Sequence, residues 1–178
     1  MRKTITTSNH IDYMRVLTTA NRMLGTKEES FGFYMIVAIN TGLRVGDILS
    51  LNSNDFKRGH ILFREQKTNK AKKVVFNDII LGYFSKLKGN NVFRSQKGSL
   101  FSIQQINRKI KQVFPDRYLN FSSHSLRKSF GRRVYDNHNQ SENALVMLSE
   151  LYNHASTKVT RRYLDITQEQ LDDIYMNL

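Results

Sequence analysis

Nine consecutive residues, Phe31 to Ile39, carry no charge and almost no polarity, and no other stretch constrains the fold as strongly. A helix that is apolar on every side has no face to offer water, so it must lie at the centre with the rest of the chain wrapped around it. Asn40 and Thr41 close the run, which is far shorter than the roughly 20 residues a membrane span needs. It therefore reads as a buried helix from about Lys27 to Thr41, with Gly42 supplying the left-handed turn that ends it. A chain of 178 residues is long enough to enclose such a helix in one core.

Around this centre the pattern is mostly helical. Ser8 is placed to cap a first helix running to about Leu24, with Ile11, Met14, Leu17 and Met23 near helical spacing. Val45 to Leu51 begins a short third helix, which puts Arg44 at a junction. From Gly59 the period changes. His60 to Arg64 and Lys73 to Phe76 are rich in β-formers and flank a polar stretch, so they read as a β-hairpin with Lys67 just inside its basic tip. Helices are then expected at Asp78–Leu87, Ser102–Phe114, Ser123–Asn137 and Glu142–Tyr152. A last apolar stripe is formed by Leu171, Ile174, Tyr175 and Leu178. The expectation is one mainly α domain over residues 1–178 with a small antiparallel hairpin or three-stranded sheet (α+β). A single proline argues against a long disordered linker.

Charge narrows the partners. Twenty-eight Lys and Arg against fifteen Asp and Glu leave a formal charge of +13, which points to a polyanion: nucleic acid or an anionic membrane. No cysteine is present, which excludes disulfides, a Cys-based zinc site and thiol catalysis. The N-terminal MRKTITTSNH has no apolar core after its basic residues, so a secretory signal is not expected and the protein is placed in the cytoplasm. No Asp, Glu and His cluster has metal-ligand spacing, and neither a metal nor another cofactor is expected.

Four strings carry the candidate chemistry: TGLRVGDILSL around Arg44, QKTNKAKKVVF around Lys67, HSLRKSF with His124 and Arg127, and LYNHASTKVTRRYL with His154 and Tyr163. Singly each has an ordinary explanation. Tyr163 is one of eight tyrosines, Arg44 could be no more than a helix-dipole partner or an Asp47 ion pair, and Lys67 shares its hairpin with Lys70, Lys72 and Lys73. His10, His60 and His138 have no supporting string. In order, type and context, however, the set resembles the catalytic domain of the tyrosine recombinase (lambda integrase-like) family. That family's signature runs Arg, Lys, His-x-x-Arg, His or Trp, Tyr. The resemblance covers essentially the whole chain.

The resemblance implies an active site of Arg44, Lys67, His124, Arg127, His154 and Tyr163, with Asp47 in a supporting position, and a metal- and ATP-independent exchange of DNA strands. The chemistry explains these residue types. Two planar, permanently charged guanidiniums suit the nonbridging oxygens of a phosphodiester. A tyrosine, whose free pKa is about 10, needs cations and a nearby base, here His124, before it attacks. Lys67 would protonate the departing 5′-oxygen, and His154 would add a phosphate hydrogen bond. The 3′-phosphotyrosine so formed can be reversed by another strand's 5′-hydroxyl.

Two departures stand out. Asn153 occupies a place where the family commonly has Gly, and Asp47 one where Glu is commoner. The family's N-terminal clamp domain and arm-binding module have no room in 178 residues. The partners implied are double-stranded DNA and other copies of the chain, monomeric when free and tetrameric on DNA, in a bacterial, phage or mobile-element setting. Lys70, Lys72, Lys73, Arg132 and Arg133 are expected to contact phosphates without reading sequence. A type IB topoisomerase, a non-catalytic regulator on the same fold and an unrelated basic RNA-binding protein remain as alternatives.

Overall fold

The computed structural model describes residues 8–64, 71–88, 92–166, 172–173 and 175–177. The chain divides into two compact units, residues 1–130 and 131–178. Within the described residues the architecture is helical apart from one antiparallel strand pair, as the sequence pattern leads one to expect.

In the first unit, α1 (Tyr13–Met23) precedes α2 (Glu29–Thr41), and α2 is buried at every position from Phe31 to Ile39. Its ring side chains organise the core. Phe33 meets Phe56 at 4.8 Å and stacks on Phe93 at 5.5 Å, while Phe56 stacks on Phe76 at 4.7 Å. These contacts bring together residues from α2, from α4 (Ser53–Lys57) and from the chain after the hairpin. Each such pair adds about 0.5–1.5 kcal/mol beyond the area it buries. Between them lies α3 (Val45–Leu49).

Strands β1 (His60–Arg64) and β2 (Ala71–Val75) pair with His60 opposite Val75 and Arg64 opposite Ala71. Alternation places Ile61 in the core and leaves Leu62 and Lys73 exposed on the other face. A three-stranded sheet is not formed among the described residues; beyond the hairpin there is only an isolated bridge from Arg94 to Leu100. Helices α5 (Asp78–Phe84) and α6 (Ile103–Val113) follow, and then α7 (Ser123–Asn137), whose first eight residues belong to this unit.

One expected start is corrected. Ser8 does not cap α1; its hydroxyl lies 2.6 Å from that of Ser122, and Asp12 caps the helix instead, accepting from the Arg15 amide at 2.7 Å. The segment that precedes α1 lies beside the beginning of α7. Asn9 donates to the Asn120 carbonyl at 3.0 Å, and Ile11 is held through its amide by Ser129 Oγ at 3.0 Å. The extra polar partners offered by that segment outweigh one more turn of helix.

The second unit contains the end of α7, then α8 (Glu142–Tyr152) and α9 (Thr157–Tyr163). Tyr135, Leu145, Leu148, Tyr152 and Leu164 are buried here. Gly131 has no side chain because none fits: a Cβ there would come within 2.7 Å of both Leu164 and the Tyr152 hydroxyl. Of the expected C-terminal stripe, Tyr175 is exposed, while Leu171, Ile174 and Leu178 lie outside the described residues.

Candidate active site

The first unit gathers four of the expected site residues around one cleft. Gly42, at φ +61°, ends α2 in a left-handed turn and donates its amide to the Ala38 carbonyl. Two residues on, Arg44 is extended (φ −69°, ψ 150°) and forms the N-cap position of α3. Asp47 falls in the first turn of α3, where a carboxylate is favoured by the helix dipole, and its side chain is buried.

The other two come from α7. Its start is held by local hydroxyls: Ser122 Oγ accepts from the His124 amide, and the Ser122 amide donates to Ser125 Oγ at 3.0 Å. The Ser123 amide donates to Asn107 Oδ1 on α6 at 2.8 Å. His124 is exposed in the first turn, and Arg127, three residues on and on the same face, is 5% exposed. The Arg127 guanidinium donates through Nη1 to the Gly42 carbonyl. A buried guanidinium keeps its charge and must be satisfied by acceptors; here the carbonyl of the turn preceding Arg44 is one of them.

Arg44, Asp47, His124 and Arg127 line a cavity of about 290 Å³. Two fixed cations and an imidazole around a concavity suit an anion with several oxygens, phosphate above all.

The second unit brings the remaining pair together. Asn153 ends α8 in a left-handed conformation (φ 54°, ψ 47°), so it does the work of the glycine it replaces, as Asn is able to do. The chain then turns, and the His154 amide donates to the Ser149 carbonyl at 2.9 Å. Ser156 caps α9, whose last residue is Tyr163. The His154 and Tyr163 rings lie 5.3 Å apart, edge to face, and Tyr152 approaches both, at 5.4 and 5.5 Å. Tyr163 is half-buried.

Lys67 and Lys70 lie outside the described residues. Of the other basic candidates, Lys73 is exposed and Lys72 half-exposed on opposite faces of β2. Arg133 is half-buried, as is Arg132, whose guanidinium reaches the Leu164 carbonyl at 3.5 Å. Two contributors were not singled out from the sequence. The Gly42 carbonyl serves Arg127 across 85 positions, which no local signal discloses. Thr160 is wholly buried, and its hydroxyl lies 2.9 Å from His154 Nδ1; its place six residues after His154 was the available hint.

A family model described as the phage integrase family matches residues 9–170. The chain belongs to the phage integrase family. Among its relatives, the probable integrase/recombinase YoeC of Bacillus subtilis (strain 168) is 28% identical over 152 residues, covering 77% of this chain and 78% of YoeC. The integrase of Escherichia phage P2 is 24% identical over 141 residues, covering 78% of this chain and 38% of that integrase. In fold, the chain is similar to XerH site-specific recombinase, solved in a post-cleavage complex with a palindromic difH substrate. The TM-score is 0.63 at 21% identity, covering 95% of this chain and 53% of XerH.

The chain thus spans about half of XerH and less of the phage P2 integrase. The resemblance to the tyrosine recombinase family is borne out by the family model and the curated relatives, and the mainly helical fold with its small sheet by the solved structures. No helix among the described residues is long and apolar enough to cross a membrane.

Proposed function

We propose that this phage integrase family member cleaves and rejoins double-stranded DNA at specific sites, with Tyr163 as the nucleophile and no metal or ATP. The observation that carries the reading is the cleft on which Arg44, Asp47, His124 and Arg127 converge, from two stretches of sequence far apart in the chain. Such convergence is what a phosphate-binding site requires and what scattered surface cations do not achieve.

In the proposed reaction the Tyr163 oxygen attacks phosphorus, a tyrosyl ester forms to the 3′-phosphate, and the bond to the 5′-oxygen breaks. The tyrosine proton passes to His124 and the 5′-oxygen takes a proton from Lys67. Arg44 and Arg127 hold the nonbridging oxygens, whose charge is greatest in the transition state, and His154 adds a hydrogen bond to them. Asp47 supports the arginine side of the cleft. Because the tyrosyl ester preserves a phosphodiester, a 5′-hydroxyl from a second duplex reverses the step and exchanges strands.

Residues 1–178 then act as one catalytic domain in the cytoplasm, encoded by a bacterium or by a phage or mobile element, monomeric when free and tetrameric on paired DNA sites. Lys70, Lys72, Lys73, Arg132 and Arg133 supply phosphate contacts around the duplex, the last two from half-buried positions.

The test is to incubate wild type and Tyr163→Phe with supercoiled plasmid bearing DNA from around the gene, in EDTA, and to stop the reaction with SDS. A DNA-linked protein is expected with wild type and not with Tyr163→Phe, while both bind DNA. Cleavage by the phenylalanine variant would remove Tyr163 from the site; relaxation of any plasmid regardless of sequence would favour topoisomerase activity instead.

A further inference from the structure

Within the second unit, the contact between Thr160 and His154 fixes more than a ring position. Thr160 is 0% exposed, so its hydroxyl proton has no water to go to. Its amide already donates to the Ser156 carbonyl at 3.3 Å, and among the described residues the hydroxyl makes one hydrogen bond, the 2.9 Å contact to His154 Nδ1. A buried hydroxyl left without an acceptor keeps the full cost of leaving water. That cost is avoided only if Thr160 donates and Nδ1 accepts, which requires Nδ1 to be bare and the proton to sit on Nε2.

We infer that Thr160 is a positioning residue that holds His154 as its Nε2–H tautomer, so that the ring can only donate, not accept, through Nε2. This deepens the phosphate-binding role proposed for His154 and rests on it for its functional meaning. A donor is what a nonbridging phosphate oxygen requires; the opposite tautomer would present a lone pair to that oxygen and repel it. Two other features support the assignment. The left-handed turn at Asn153 and the bond from the His154 amide to the Ser149 carbonyl anchor the backbone of His154. Ser156 caps the helix that carries Thr160, so both partners of the contact are held from their own main chains.

The contact is tested by nitrogen-resolved NMR of the imidazole side chains in the full chain, at a pH where histidine is neutral, for wild type, Thr160→Ser and Thr160→Val. Wild type and the serine variant are expected to show His154 with the proton on Nε2 and Nδ1 as a hydrogen-bonded acceptor. The valine variant is expected to lose the hydrogen-bonded signature at Nδ1 and to populate both tautomers. A proton on Nδ1 in wild type, or an unchanged spectrum in Thr160→Val, would overturn the inference. Should the valine variant fail to fold, the wild-type tautomer and its retention in Thr160→Ser still decide it.

Its consequence for cleavage is read with a double-mutant cycle. Thr160→Val should slow adduct formation by wild type but add nothing in a His154→Ala background, whereas a purely structural role would slow both. Loss of the adduct reaction altogether would count against the function of the site and leave the tautomer measurement unaffected.

Discussion

Gly42 answers to three neighbours at once. Its left-handed backbone (φ +61°) ends α2, its carbonyl receives the Arg127 guanidinium, and a Cβ at this position would lie 2.4 Å from the Phe130 ring. An alanine there must adopt a strained conformation and displace an aromatic ring, costs that together reach about 2–4 kcal/mol. Gly42→Ala is therefore expected to lower the urea midpoint markedly, and Phe130→Leu to recover part of the loss in the same background; an alanine variant as stable as wild type would contradict this. Arg127→Lys should fare poorly for a different reason. Lysine keeps the charge but loses the planar fork, so DNA cleavage should fall by at least about tenfold while nonspecific DNA binding changes little. At this scale the sequence was readable where a residue type acts locally. Gly42 as a helix end could be read from neighbouring residues, and Asn153 only as standing where the family commonly has glycine. The Gly42 to Arg127 contact could not, because it depends on how two distant segments pack.

Among the elements, the turn between α8 and α9 is where backbone conformation most directly serves the site. Asn153 at φ 54° points the chain so that His154 and Thr160 meet, and so that the His154 and Tyr163 rings lie edge to face. Asn153→Gly should keep thermal stability within a few tenths of a kcal/mol, whereas Asn153→Val, β-branched and ill-suited to this region, should cost about 1–2 kcal/mol or more. Thermal melts of the two variants check the pair, and a valine variant that melts with wild type would show that the turn is not held as described. Helices α7 and α8 were legible to the residue, Ser123–Asn137 and Glu142–Tyr152. Clear capping residues, and breaks at their ends, mark them. The five-residue α4 and seven-residue α9 are not legible in the sequence because segments that short span too few turns for an apolar period to register. Their caps, Asn52 with Asp55 and Ser156, were the only local signals.

For the molecule as a whole, buried phenols set an alkaline limit on stability. Burial pushes the Tyr34 hydroxyl well above its ordinary range, and burial followed by the nearby Glu29 charge does the same for Tyr83, whose hydroxyl donates to the Ala20 carbonyl at 2.8 Å. Both groups favour the protonated form in the folded state. Their contribution is therefore complete below the unfolded pKa of about 10 and is lost as pH rises from there toward the folded values. Chemical denaturation should show a stability that declines above about pH 10, and Tyr34→Phe should flatten that decline; a stability that rises across the same range would contradict the burial of these groups. The charge of +13 and the ordered strings point to a DNA-directed enzyme without coordinates, whereas a preferred DNA sequence would be set by contacts that neither composition nor motif order encodes. Covalent attachment of Tyr163 to DNA is tested by digesting the trapped adduct with nuclease and protease and mapping the nucleotide remnant by mass spectrometry. A 3′-phosphate-linked nucleotide is expected on the peptide containing Tyr163; a remnant on any other residue, or one joined through a 5′-phosphate, would rule out Tyr163 as the nucleophile.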